Sequence, residues 1–322
     1  MALPSFKNVF VFLDTDKFCS PFDMLVVTDA YPDSNIFKFE NVTGEDAGKI
    51  VYDTLFPRGP LGAAHTKIFI NGSNFEMVEK VVEATQKAMA SAPWGTSIIV
   101  DPRGAYSTAA GAVAKILGLS LEKKIGSFEA KNVTVLAGTG PVGQTAARIF
   151  ASEKANVVIT SRALAKGQAV ADKINKEVGS ERVKVVEVTK PEQTAVAVKD
   201  AEIILSAGAG GIQLLSADDL KKAKKCKLVA DINAIKPVGV EGLGSNDDGV
   251  EMAKGVFGIG ALAIGKLKIK IETDMIKRAT EAPAGLFDYS IAYDLGKTQI
   301  IKKLAKAKAA EAPKEQPKSW MP

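Results

Sequence analysis

The sequence predicts an α/β protein in which a doubly wound, parallel-sheet unit follows a smaller α/β unit. Three observations point there. Short apolar runs of strand length alternate with longer stretches of helical periodicity through most of the chain. The loop Gly138-Thr139-Gly140-Pro141-Val142-Gly143 stands between one such run and one such stretch. The 322 residues are enough for two buried cores.

In chain order, residues 9–13 and 24–28 read as strands, the first running into an acidic loop at Asp14 and Asp16. Residues 66–70 read as a third, ending at Asn71-Gly72. Residues 75–90 read as a helix with Val78, Val81 and Val82 on one side. Residues 97–100 form a short strand closed by Asp101-Pro102-Arg103-Gly104. Residues 107–117 read as an alanine-rich helix that Ser107 or Thr108 would cap, and 118–130 as a polar junction. A second unit follows, with strands at 132–137, 156–160, 183–188, 201–207 and 228–232, and helices at 141–153 and 163–178. That alternation predicts parallel βαβ units. Residues 266–271 alternate lysine with apolar residues and read as a strand. A helix competes there, because Leu267, Ile271 and Met275 recur every fourth residue. The expected division is a substrate unit at 1–128 with a helical segment 272–305 packing back on it, a dinucleotide-binding unit at 129–271, and a basic, disordered tail at 306–322.

Hydrophobic residues at 46% and charged residues at 25% are ordinary for a soluble α/β protein. No apolar run approaches the roughly 20 residues needed to span a bilayer. The early run 9–13 meets Asp14 and Asp16 at once, so no secretory signal is expected. Cys19 and Cys226 stand far apart without a C-x-x-C pairing, which predicts neither disulfide nor zinc site and favours a reducing cytoplasm. The net charge of +5 is local: residues 301–322 hold six Lys and two Glu, leaving about +1 on the rest. That is no footprint for a nucleic acid.

The glycine loop is G-x-G-x-x-G in the context its mechanism requires, after a strand and opening a helix. Gly138 permits the tight turn, Gly140 lets backbone approach a pyrophosphate, and Gly143 allows close helix–strand packing. Thr139 and Val142 complete the loop, and Pro141 suits the first helical turn because it lacks an N–H. The second strand of this unit ends Thr160-Ser161-Arg162 where an NAD enzyme usually carries an acid. Arg162 would pair with a 2′-phosphate and Ser161 would donate to it, so NADP is the expected cofactor, with NAD possible. Ala207 and Asn233, beside the fourth and fifth strands, complete the expected cofactor-binding set.

The chain's one histidine, His65, precedes a strand with no Cys or acid cluster beside it, which points to a surface or capping role. Catalytic zinc is not expected, and no metal site is. Tyr293 and Lys297 have the Y-x-x-x-K spacing of short-chain reductases. The glycine loop, however, is spaced differently and sits about 130 residues into the chain. What remains is a hydride transfer that needs little acid–base help. Asp14, Asp23 and Asp101 are placed at strand ends of the first unit, where cleft residues gather. Their carboxylates would accept hydrogen bonds from a substrate, with loop capping as the alternative.

Longer strings carry a resemblance across most of residues 10–300. They are Leu13-Asp14-Thr15-Asp16 with Pro21-Phe22-Asp23, Asn41-Val42-Thr43, and Val135-Leu136-Ala137 running into the glycine loop. Val229-Ala230-Asp231 with Asn233-Ala234, and Gly260-Ala261-Leu262-Ala263-Ile264-Gly265, complete the set. In these the chain resembles the NAD(P)-dependent methylene-tetrahydromethanopterin dehydrogenases of one-carbon metabolism, including members that also accept methylene-tetrahydrofolate. The resemblance implies a pterin carrier as substrate, a homo-oligomer (a trimer or a multiple of it), and an active-site lysine at Lys268. Taken alone, Lys268 is one of three lysines, with Lys266 and Lys270, on a solvated face. The Lys-rich extension after residue 305 departs from the family's usual short C-terminus. Two other readings stay open: a two-domain reductase or amino-acid-type dehydrogenase, and a non-catalytic NADP-binding sensor.

Overall fold

The structure, a computed structural model, describes residues 6–311. Its first part runs β1 (Val9–Asp14), α1 (Pro21–Ala30), β2 (Asn35–Phe39), α2 (Gly44–Leu55), α3 (Gly59–Ala64), β3 (Thr66–Asn71), α4 (Phe75–Ser91), β4 (Ser97–Val100) and α5 (Ala105–Glu122). The second runs β5 (Asn132–Leu136), α6 (Pro141–Ser152), β6 (Asn156–Ser161), α7 (Leu164–Val178), β7 (Val183–Glu187), α8 (Thr194–Val198), β8 (Ile203–Ser206), α9 (Ala217–Lys222), β9 (Leu228–Asp231), β10 (Asp248–Ala253) and β11 (Val256–Ile259). The chain ends on α10 (Ala261–Glu281), β12 (Gly285–Phe287) and α11 (Tyr289–Glu311).

Two sheets result. The first has the order β12-β4-β3-β1-β2 and is parallel throughout. The second has the order β10-β11-β9-β8-β5-β6-β7, with β10 alone antiparallel. From β5 the chain winds outward through β6 and β7, then returns to lay down β8 and β9 on the other side. The topological switch point therefore lies between β5 and β8, where ligands of open α/β sheets bind. Strands β1, β3 and β4 are buried along their whole length, which is why β1 and β4 read as near-continuous apolar runs and β3 as an apolar centre, Ile68–Ile70, between buried polar ends.

Helix α5 fixes the two sheets relative to each other. It is buried over most of its length, and one apolar cluster runs from Phe12, Phe69 and Ile99 of the first sheet through Val113 and Ile116 to Val133, Val135 and Ile159 of the second. Helices α6, α10 and α11 all pack against it.

Several elements differ from the sequence reading. Residues 24–28 are helix, not strand. Met-Leu-Val-Val-Thr favours β structure locally, but Ser20 caps α1 by accepting from Asp23 N, and Pro21 opens its first turn. Helix α5 starts at Ala105, ahead of the expected caps. The Asp101 carboxylate takes their place, accepting from the backbone N–H groups of Tyr106 (2.8 Å) and Ser107 (3.1 Å). The helix then runs on to Glu122 through part of the expected junction. Residues 266–271 are helical: Leu267, Lys268, Ile271 and Met275 are buried on one face of α10, so the fourfold recurrence was the operative period. The unit boundary expected at 271 falls inside this helix. The segment 272–305 is interrupted by β12, which pairs with β4. Residues 306–311 belong to α11, against the expected disorder, and 312–322 lie outside the described residues. Strand β2 and helix α2 have no counterpart in the sequence reading, although Thr43 and Asp46 form a reciprocal capping box at the start of α2. Among the described residues no helix is long and apolar enough to cross a membrane.

Candidate active site

A cleft of about 530 Å³ opens at the switch point of the second sheet. Ala137, Thr139, Gly140, Pro141 and Val142 line one side, Ala207, Gly208 and Ile232 the end, and Pro102, Arg103 and Ala105 of the first part the facing wall.

The three glycines of the loop serve different ends. A Cβ on Gly138 would come within 2.5 Å of the Ile159 Cβ, and one on Gly143 within 2.6 Å of the Ala137 carbonyl oxygen, so packing demands both. At Gly140 the nearest atom would be that same oxygen at 3.5 Å, an ordinary contact, and its φ of −74° suits any residue. Nothing within the protein itself requires bare backbone at Gly140. No side chain caps α6, so its first-turn N–H groups remain for an anion. These features fit a dinucleotide pyrophosphate.

At the far end of the cleft Arg162 is exposed and lines the wall, with no ion-pair partner among the described residues. Lys166, in the first turn of α7, lines the same wall. Sequence reasoning missed it, though a second base four residues after Arg162 was there to see. Ser161 does not present a free donor. Its hydroxyl donates to the Ala163 carbonyl (2.7 Å) and accepts from the Ala163 N–H (3.2 Å), closing its own turn. Asn233 is likewise occupied. Its Oδ1 accepts from Gly211 and Ile235 N–H and its Nδ2 donates to the Pro237 carbonyl, so it braces the loops behind the cleft.

Behind the Pro102–Ala105 wall lies a buried group of charges. Asp23 sits in the first turn of α1, not at a strand end; Asp101 follows β4; Lys268 and Glu272 are one turn apart on α10. Carboxylate oxygens of Asp23, Asp101 and Glu272 lie within 4.8 Å of one another. The Lys268 ammonium donates to Glu272 Oε2 and lies 4.0 Å from the centre of the Phe22 ring, itself half exposed. That ammonium supplies the acids with their cation. Asp101 also accepts from the Ser107 hydroxyl at 2.5 Å, and Asp23 from Asn71 Nδ2 at 2.6 Å. Burial raises the proton affinity of Asp101 and of Glu272; Lys268 opposes the rise in both. Lys268 is only 8% exposed, whereas Lys266 and Lys270 face solvent. Gly104, with φ +69°, completes the junction: a Cβ there would lie 3.2 Å from Lys268 Nζ.

Asp14 stands apart from this group. Fully buried, it accepts from the N–H groups of Asp16 and Ser20 and pairs with Arg103 at 3.1 Å. Arg103 also binds Asp16 and the Phe18 carbonyl, while its N–H donates to Asn71 Oδ1. These bonds hold it at φ +48°. Asp14 thus braces the cleft wall through Arg103. Sequence reasoning missed Glu272, Asn71 and Arg103. A Lys–Glu pair four apart was the available sign of Glu272, once 266–271 is read as helix.

His65 ends α3 with its Nδ1 3.3 Å from Asn8 Oδ1, outside the cleft. Lys297 pairs with Glu153 at 2.5 Å, and neither it nor Tyr293 lines the cleft.

A model of the shikimate/quinate 5-dehydrogenase family matches residues 120–243, and one for the N-terminal part of methylene-tetrahydromethanopterin dehydrogenase matches residues 21–103. Quinate dehydrogenase from Corynebacterium glutamicum, solved in complex with NAD, shares the fold at a TM-score of 0.52 and 13% identity, over 90% of this chain and 99% of that one. Fold and cleft together define an NAD(P)-dependent oxidoreductase. Two Methylorubrum extorquens proteins are nearer in sequence. The bifunctional protein MdtA is 37% identical over 90% of this chain and 98% of its own. The NAD(P)-dependent methylenetetrahydromethanopterin dehydrogenase is 31% identical over 90% and 97%. The chain belongs to the methylene-tetrahydromethanopterin dehydrogenase family.

Proposed function

We propose that the chain oxidises methylene-tetrahydromethanopterin to its methenyl form with NADP as preferred cofactor. The observation that carries this reading is the buried Lys268, ringed by Asp23, Asp101 and Glu272, one short turn of chain from the wall of the dinucleotide cleft. The relative named for this reaction supports the choice of substrate.

Removing a hydride from the methylene carbon leaves a methenyl group whose positive charge is shared by two nitrogens. No proton has to move, in keeping with a site from which His65 and Tyr293 are remote. The bound dinucleotide supplies the hydride acceptor. The chain's own task is to hold the carbon in place and shape the field around a developing cation. A lone lysine would oppose that cation. With three acids around it, the Lys268 charge is offset, while its N–H groups beyond the one given to Glu272 stay free to orient the pterin. Gly140 and the α6 N-terminus would hold the pyrophosphate, and Arg162 with Lys166 the 2′-phosphate. We place the enzyme in the cytoplasm, as a homo-oligomer with a trimer as its unit and neither a nucleic acid nor a membrane as partner. The half-exposed Phe37 and Phe39 on the edge strand β2 offer an apolar face for such assembly.

The test follows methenyl absorbance and NADPH formation with methylene-tetrahydromethanopterin and methylene-tetrahydrofolate, each with NADP and NAD. Turnover of the first carrier with NADP is expected; turnover of a carbonyl or amino acid instead would reject the reading. Arg162→Ala should weaken NADP binding about ten- to a hundred-fold, the loss of one charge-assisted contact, and NAD binding far less. Equal losses would remove Arg162 from 2′-phosphate recognition.

A further inference from the structure

We propose that Glu272, holding a proton shared with Asp23, is the positioning residue that fixes the Lys268 ammonium for the substrate. The proposal rests on the assignment of Lys268 to the substrate site.

Its ground is an imbalance among the buried acids. Asp101 is satisfied by two backbone N–H groups and a hydroxyl, and one oxygen of Asp23 by Asn71. Glu272, fully buried, accepts only from Lys268, through Oε2. Its Oε1 and the Oδ1 of Asp23 have no hydrogen-bond partner among the described residues. Two orphaned, buried oxygens on neighbouring carboxyl groups are costly unless one group carries a proton that both share. A proton on Glu272 Oε1, donated to Asp23 Oδ1, gives each a partner and leaves Oε2 to accept from Lys268. The chain of bonds then runs from α1 through Glu272 to the ammonium. The charged groups facing Glu272 are Asp23 on α1, Asp101 after β4 and Lys268 on its own helix. The two aspartates favour the shared proton, and the lysine opposes it.

The backbone of Lys268 is already held: a Cβ on Gly111 of α5 would lie 3.3 Å from its nitrogen, so the helices are in close contact there. Only the flexible four-carbon stem remains to be fixed, and Glu272 is the acid with no other donor to satisfy it.

Glutamine reproduces both bonds, its amide N–H donating to Asp23 and its oxygen accepting from Lys268; alanine reproduces neither. With methylene-tetrahydromethanopterin and NADP, Glu272→Ala should lower kcat by about ten-fold with little change in the Kd for NADP, an orientation loss. Glu272→Gln should recover most of that activity. The double variant Glu272→Ala/Lys268→Ala should be no slower than Lys268→Ala, because Glu272 acts through the lysine. A Gln variant as slow as the Ala variant, an unchanged Ala variant, or additive losses in the double variant would each overturn the proposal. Nζ NMR of lysine labelled with nitrogen-15 reads the same contact without substrate. The signal of the buried ammonium, assigned by its loss in Lys268→Ala, should persist in Glu272→Gln and be lost or displaced in Glu272→Ala. Absence of wild-type turnover would reject the substrate reading alone, and the NMR comparison would still decide the role of Glu272.

Discussion

Lys268→Ala is expected to lower kcat/KM for methylene-tetrahydromethanopterin by at least about ten-fold, about 1.4 kcal/mol of transition-state stabilisation. Lys266→Ala and Lys270→Ala, on the exposed side of α10, should stay within about two-fold of the parent. NADP affinity should hold in all three, since Lys268 lies behind the cleft wall and does not line it. Stability should change in a pH-dependent way. Removing the cation from a buried group of acids costs up to about 3–5 kcal/mol when a bare charge is left behind, and less when the acids take up a proton. The Glu272 proton affinity is raised in the fold, so the stability it contributes is full below its unfolded pKa and is lost as pH rises through the folded one. Removing Lys268 takes away the neighbour that opposes this rise. The stability deficit of Lys268→Ala should therefore be small at pH 5 and larger at pH 9. Urea denaturation at both values reads it; equal deficits would show that the lysine does not compensate the buried acids.

Gly140→Val is expected to weaken NADP binding by more than about a hundred-fold, some 2.7 kcal/mol, while the protein remains folded. The backbone at Gly140 accepts any residue, and an added Cβ meets the protein only at ordinary contact distance, so the clash falls on the pyrophosphate. Gly143→Val should behave differently, because its Cβ would collide with the Ala137 carbonyl and the adjoining backbone of Gly138. That variant should lose thermal stability as well as cofactor. Normal nucleotide binding by Gly140→Val, measured by calorimetry, would remove the loop from the cofactor site.

The dinucleotide-binding sheet was largely legible in the sequence because strands β5, β6 and β8 are buried and parallel, so each appears as an apolar run bounded by turns. The first part was harder. Residues 24–28 favour a strand by composition, and only the Ser20-Pro21 cap argues for helix α1. The acid cluster was half legible. Asp23, Asp101 and Lys268 could be singled out, but read as a strand, residues 266–271 put all three lysines on one face. Only the helical period separates Lys268 from Lys266 and Lys270 and brings Glu272 beside it. Ser161, Asn233 and Asp14 show a different gap. Each is of a residue type suited to ligand binding, and each spends its polar atoms on neighbouring protein groups, a competition that spacing does not reveal.

Isotope transfer from the substrate's methylene carbon tests the central claim most directly. With methylene-tetrahydromethanopterin bearing two deuterium atoms on that carbon, direct hydride transfer predicts that the NADPH recovered carries one deuterium, seen by mass spectrometry, in step with formation of the methenyl product. Reduced dinucleotide formed without deuterium, or no reduction of NADP by this substrate while a carbonyl or amino acid is turned over, would contradict the account.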